Sequence, residues 1–140
     1  MSTNPSSHHF TFKKQDRLCR KKLIDELFQK GSSFFIYPFK VQYLKKKLEL
    51  QAPAQLLISV PAKIFSRAVD RNRIKRLIRE AYRLNKPLLY ESLKSTNQNL
   101  LIAFIYTSKN IEPFELVKSK IILIIKTLTE INAVVRKNNQ

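Results

Sequence analysis

The sequence is short of acid. Its 140 residues include 10 Asp and Glu against 27 Lys and Arg, with one Cys, one Gly, two His and no Trp. A single Cys excludes an internal disulfide framework and a Cys-rich zinc site. The scattered acids argue against a protein nuclease, which needs convergent carboxylates for metal or a His acid and base. Asp25 and Glu26 are neighbours, so on a helix they project about 100° apart and share one ion poorly. Glu112 and Glu115 fall at a predicted helix start, where dipole compensation accounts for them. His8 and His9 lie in a Ser-, Thr-, Asn- and Pro-bearing terminus and read as solvated rather than metal-binding. Cys19 has no His partner near it in the sequence and reads as a small helix residue. No catalytic or metal-ligating residue is therefore assigned to the chain. The longest uninterrupted apolar run, Leu100–Tyr106, is seven residues, far below the roughly 20 that cross a bilayer. Residues 1–12 have no signal-like apolar stretch. The expectation is a cytoplasmic protein without membrane contact.

What the sequence has is positive charge. The formal net charge is +17 and the pI is about 10.3. A domain so charged attracts polyanions, and nucleic acid is the usual one. Residues 61–90 carry nine cations and two acids, the largest share of any segment, whereas residues 1–12 are neutral. The cations there are interleaved with Ile and Leu at regular spacing, so they form a patch and not a disordered arm.

The length and the 44% apolar composition suit one globular domain. It is expected over residues 11–135, between flexible segments at 1–10 and 136–140. Residues 17–30 predict a helix capped by Asp16 and striped by Leu23, Ile24, Leu27 and Phe28. Gly31 then sits where a left-handed C-terminal residue is favoured. Residues 33–44 alternate as one strand, with Pro38 marking an edge or bulge. Of Phe34, Phe35, Tyr37, Phe39 and Tyr43, most should pack in the core, with one or two rings left at the surface. A second strand covers 55–60. Residues 70–86 take helical period, with Asp70 in the first turn or as cap, and Pro87 as the stop. A third strand at 99–107 reads as buried on both faces. A long helix follows over 113–135, with Pro113 at its start and a core face from Phe114 to Ile131. This pattern predicts an α+β sandwich, a small mixed sheet of three or four strands packed by three helices.

On a helical wheel centred on Ile74, the residues Asn72, Lys75, Arg76, Arg79, Arg83 and Lys86 fall between about 100° and 200°. Leu77, Ile78, Ala81 and Leu84 fall opposite. Ordinary solvated faces mix signs, because like charges at i,i+4 repel. Here Arg dominates and no acid stands in the row, although Asp70 and Glu80 nearby could orient arginines. Arg forks onto phosphate oxygens and stacks on bases. A helix-turn-helix DNA reader would put this helix after another helix and a tight turn. Here a strand precedes it, and the mixed sheet with its aromatics favours RNA or single strands.

The segment Arg71–Glu80, RNRIKRLIRE, resembles the arginine-rich motif RNxxKRxxRE of the protein subunit of bacterial ribonuclease P. The opening FTFKKQDRLCRKKLIDELFQKG, the strand QLLISV and the strand LLIAFIY keep that family's order, over roughly residues 10–131. The resemblance implies a domain related to one in a small-subunit ribosomal protein, with a left-handed βαβ crossover. It implies one protein per catalytic RNA, which removes the 5′ leader of precursor tRNA and itself holds most of the Mg²⁺. RNA contact is implied for Arg67, Arg71, Asn72, Arg73, Lys75, Arg76, Arg79 and Arg83. A cleft between the first helix and the sheet would hold the single-stranded leader through Phe28, through Ile24 in place of an aromatic, and through Gln42 or Tyr43. Phe65 and Ser66 stand where the family often has Gly. A structural RNA-binding protein of ribosomal type and a DNA-binding regulator are the alternative readings of the basic helix.

Overall fold

The computed structural model describes residues 12–47 and 52–138. A 3-10 turn at Lys14–Asp16 is followed by α1 (Lys21–Lys30), β1 (Ser32–Ile36), β2 (Phe39–Lys46), β3 (Ala54–Ser59), α2 (Ala68–Thr96), β4 (Asn99–Tyr106) and α3 (Phe114–Asn138). The strands make one mixed sheet in the order β1-β2-β4-β3. β2 is antiparallel to β1 and β4, whereas β3 is parallel to β4. The class is α+β, as the pattern predicts.

Residues 33–44 are a hairpin and not one strand. The chain turns at Tyr37 and Pro38, whose peptide bond is cis; Pro38 has no N–H to give to a ladder. Alternation then sorts the side chains. Phe39 and Val41 join Leu100, Ile102, Phe104 and Tyr106 in the main core, with Tyr43 partly buried against it. The main core also holds Ile78, Tyr82 and Leu89 of α2 and Ile121, Ile124 and Leu128 of α3. Leu101 and Ala103 face the other way, onto Leu18, Leu23 and Leu27, with Leu44 partly buried beside them. The sheet is thus covered by α2 and α3 on one face and by α1 on the other. Every residue of β4 except Ile105 is buried, which is why its sequence is a continuous apolar run.

Three expected boundaries move. α1 begins at Lys21 with Arg20 at its N-cap. Asp16 belongs to the 3-10 turn, and Cys19 is exposed ahead of the helix rather than within it. α2 runs through Pro87 to Thr96, where Asn97 in left-handed conformation closes it (φ 54°). An internal proline costs about 3 kcal/mol. Leu89 and Leu93 beyond it are fully buried, each worth about 1.5–3 kcal/mol, which offsets that cost. α3 starts after Pro113, whose carbonyl accepts the Val117 N–H at 3.1 Å, and it passes residue 135 to reach Asn138. The segment 1–10 lies outside the described residues. Among those described, no helix is long and apolar enough to cross a membrane.

Gly31 is not left-handed; its φ is −72°. Space is what it provides. A Cβ there would press on the Leu27 carbonyl oxygen and come within 2.8 Å of the Tyr43 carbonyl oxygen. Gly31→Ala should therefore cost about 1–3 kcal/mol, because α1 and β2 must separate. An unfolding midpoint equal to wild type would rule out that close approach.

Candidate nucleic-acid interface

α2 carries the basic face. Asn72, Arg73, Arg76 and Arg79 are exposed, and Lys75 and Arg83 are half-buried. Ile74, Ile78, Ala81 and Tyr82 are buried on the opposite side. Arg67 is exposed at the N-cap. The acids nearby do not neutralise the row. Asp70 sits in the first turn, where it complements the helix dipole. Glu80 is paired with Arg83, Nε to Oε2 at 3.1 Å; this bond holds the Glu80 carboxyl below its usual range and raises Arg83. Among the described residues no carboxylate lies within salt-bridge distance of Arg76 or Arg79.

Two cations of the helix, Arg71 and Lys86, have inward roles. Arg71 donates from one guanidinium nitrogen to the carbonyls of Phe65 (2.8 Å) and Ser66 (2.9 Å). It fastens the loop before α2, while Phe65 is buried in the core. Lys86, which the wheel puts on the basic face, is 4% exposed. Its ammonium donates to Asp16 Oδ2 at 2.8 Å and lies 5.0 Å from the Tyr90 ring centre. Tyr90 donates to Asp16 Oδ1 at 2.7 Å, and the Lys13 backbone N–H reaches Oδ2 at 2.7 Å. Burial holds the Tyr82 and Tyr90 hydroxyls above the usual phenol range, so both stay protonated donors. Leu84, expected in the core, is exposed. The buried stripe of this 29-residue helix runs through Ile78, Tyr82, Lys86, Leu89 and Leu93, which leaves Leu84 on the solvent side.

The second group lies between α1 and the sheet. Leu23 and Leu27 point into the smaller core, and Ile24 packs at its margin. One turn on from Ile24, Phe28 is 42% exposed. Gln42 alternates with Val41 and Tyr43 and so lies on the α1 side with Leu44. Its side-chain oxygen is buried without a partner among the described residues. Tyr43 does not join this group. It packs on the main core, its ring 5.8 Å from that of Phe34, because one step along a strand changes face. Glu26 and Lys46 form an ion pair that ties α1 to β2.

Sequence reasoning leaves open which strand rings reach the surface, and it misses Arg17. Phe35 is 59% exposed. Its β1 register, two pairs from the Ser33–Gln42 pair, places it diagonal to Gln42 on the same sheet face. Tyr37, also exposed, is the other surface ring of the five. Arg17 lines one concavity with Phe12, Arg76, Arg79 and Arg83; read as the first residue of a helix over 17–30, it carries no local signal of that. Among the described residues no three His, Cys, Asp or Glu come together as metal ligands.

The family model for ribonuclease P matches residues 12–129. A ribonuclease P protein component of Porphyromonas gingivalis is 40% identical over 116 residues, covering 83% of each chain. One from Dictyoglomus thermophilum is 31% identical over 115 residues, covering 82% of this chain and 88% of the relative. Among solved structures, the RNase P protein from Thermotoga maritima superposes with a TM-score of 0.62 at 26% identity, covering 79% of this chain and 96% of its own. An RNase P protein mutant from Staphylococcus aureus gives a TM-score of 0.67 at 23% identity, over 89% and 97% of the two chains, a likeness of fold.

Proposed function

The chain belongs to the ribonuclease P protein family, and from that premise we propose that it grips the ribonuclease P RNA with α2 and the precursor-tRNA leader with the α1 cleft. Membership makes it the protein component of an endoribonuclease that processes tRNA 5′ ends in association with the ribonuclease P RNA. The observation that carries the residue assignment is the exposed Arg76–Arg79 row, opposite a buried stripe and without a paired carboxylate. Arg67, Asn72, Arg73, Lys75 and Arg83 extend the contact, and Arg71 contributes through the loop it fastens. Phe28, Ile24 and Gln42 line the cleft; a base stacks on Phe28, and Ile24 gives an apolar wall with little stacking.

In this reading one protein serves one RNA. The RNA, in the same reading, holds the Mg²⁺ that drives hydrolysis. The protein supplies position. Its arginines neutralise phosphates, and its cleft fixes the leader beside the scissile bond.

Reconstitution tests this reading. With a bacterial ribonuclease P RNA and precursor tRNA at low Mg²⁺, the protein should accelerate cleavage at the mature 5′ end. A rate equal to RNA alone would sink it. Phe28→Ala should weaken precursor tRNA binding about tenfold, the scale of one lost stack, and leave mature tRNA binding unchanged. Equal losses for both substrates would make Phe28 a packing residue.

A further inference from the structure

The basic surface does not end at α2. Residues 13–20 cross from the flank of α2 to the start of α1, and between residues 15 and 19 the side chains alternate between solvent and core. Asp16 and Leu18 are buried; Lys14, Arg17 and Arg20 are exposed. The alternation is enforced from both ends. Leu18 donates its N–H to the Leu56 carbonyl at 3.0 Å, and Arg17 pairs with Leu56 as a parallel bridge on the outer edge of β3. Asp16 is held from below by Lys86 and Tyr90. With its neighbours fixed inward, Arg17 must point out. It lines one concavity with Arg76, Arg79 and Arg83 and an adjoining one with Lys14 and Arg20. Among the described residues the only acid lining either is Glu80, already paired with Arg83. Guanidinium groups gathered around a hollow repel one another unless an anion enters, and a polyanion with regular spacing fits a strip better than a single ion.

We propose that Lys14, Arg17 and Arg20 form a second phosphate-binding strip for the ribonuclease P RNA, continuous with the α2 face through Arg17. The buried Asp16–Lys86 pair acts as its positioning device. The proposal rests on the reading of α2 as the RNA-binding face. It gives Asp16 and Lys86 a role that the face itself does not use, because both are buried away from it.

Full-length protein and a bacterial ribonuclease P RNA decide the matter, with Kd measured across a salt series. Arg17→Ala should weaken binding about tenfold at low salt and flatten the slope of log K against log salt by about 0.9, one phosphate contact. Wild-type affinity and slope in Arg17→Ala, while Arg79→Ala still loses both, would overturn the strip and spare the α2 reading. Loss in neither would overturn both. Loss with Arg17→Ala alone would keep the strip and remove the α2 face.

The positioning role has its own readout. The neutral pair Asp16→Leu with Lys86→Met should cost affinity in the wild-type background and nothing further in the Arg17→Ala background. A pair that is merely structural would cost the same in both, and that result would overturn the positioning role. Tyr90→Phe removes one bond to Asp16 without leaving a bare charge. It runs the same cycle if the neutral pair does not fold.

Discussion

Asp16→Ala should lower the unfolding free energy by about 3–5 kcal/mol, the cost of leaving one buried charge without its partner. Lys86 would then stay in the interior with its ammonium over the Tyr90 ring and without the Asp16 carboxylate. Tyr90 would keep only its bond to the Ala54 carbonyl at 3.1 Å and its longer contact to Tyr82 at 3.4 Å. Lys86→Ala should cost about as much, since it strands the carboxylate instead. The double change Asp16→Leu with Lys86→Met should cost less than either single change, because a buried pair replaced by apolar groups of similar volume is often near neutral. Denaturant unfolding of the four proteins checks this. A double variant less stable than both singles would show that the pair itself, and not the stranded charge, carries the effect. The pair joins residues 70 positions apart, so its loss also frees the amino-terminal segment from α2.

Arg76→Ala with Arg79→Ala should weaken ribonuclease P RNA binding about 100-fold at low salt, about 2.8 kcal/mol. Two phosphate contacts disappear, and the salt slope should fall by about 1.8. Both side chains are exposed and unpaired with any described carboxylate, so fold stability should change little. Lys126→Ala, on the exposed side of α3, is the control and should alter neither quantity. A filter-binding titration across a salt series reads both. An unchanged slope with weaker binding would mean that the arginines act by shape and not by charge.

Much of the fold can be read from the sequence because its signals are local. The apolar run at Leu100–Tyr106 needs two buried faces, and β4 lies at the middle of the sheet with helices on both sides. The stripe of α2 around Ile74 and Ile78 follows helical period and is buried. The misread features depend on distant partners. Asp16 looks like a helix cap because a carboxylate ahead of an apolar stripe usually is one; its partner Lys86 is 70 residues away. Pro87 looks like a stop because its local cost is large; the burial of Leu89 and Leu93 that outweighs it is tertiary. Gly31 looks like a left-handed cap, yet its constraint is a strand backbone passing close by.

The same division runs through the site. Ten acids against 27 cations, and an Arg row at helical spacing, are properties of composition and period, so the sequence by itself determined a helix with one basic face and showed no convergent acids for a protein-borne nuclease centre. Only the tertiary structure decided which residues share the site. Gln42 and Tyr43 are adjacent in sequence, and a strand sends adjacent side chains to opposite faces; pairing with β1 and β4 sets which of them meets α1. Lys86 is one more cation on the wheel until Asp16 is packed beneath it. Arg17, read from the sequence as the start of a separate helix, joins the basic face only because the chain folds back along β3 and places it beside Arg76 and Arg79.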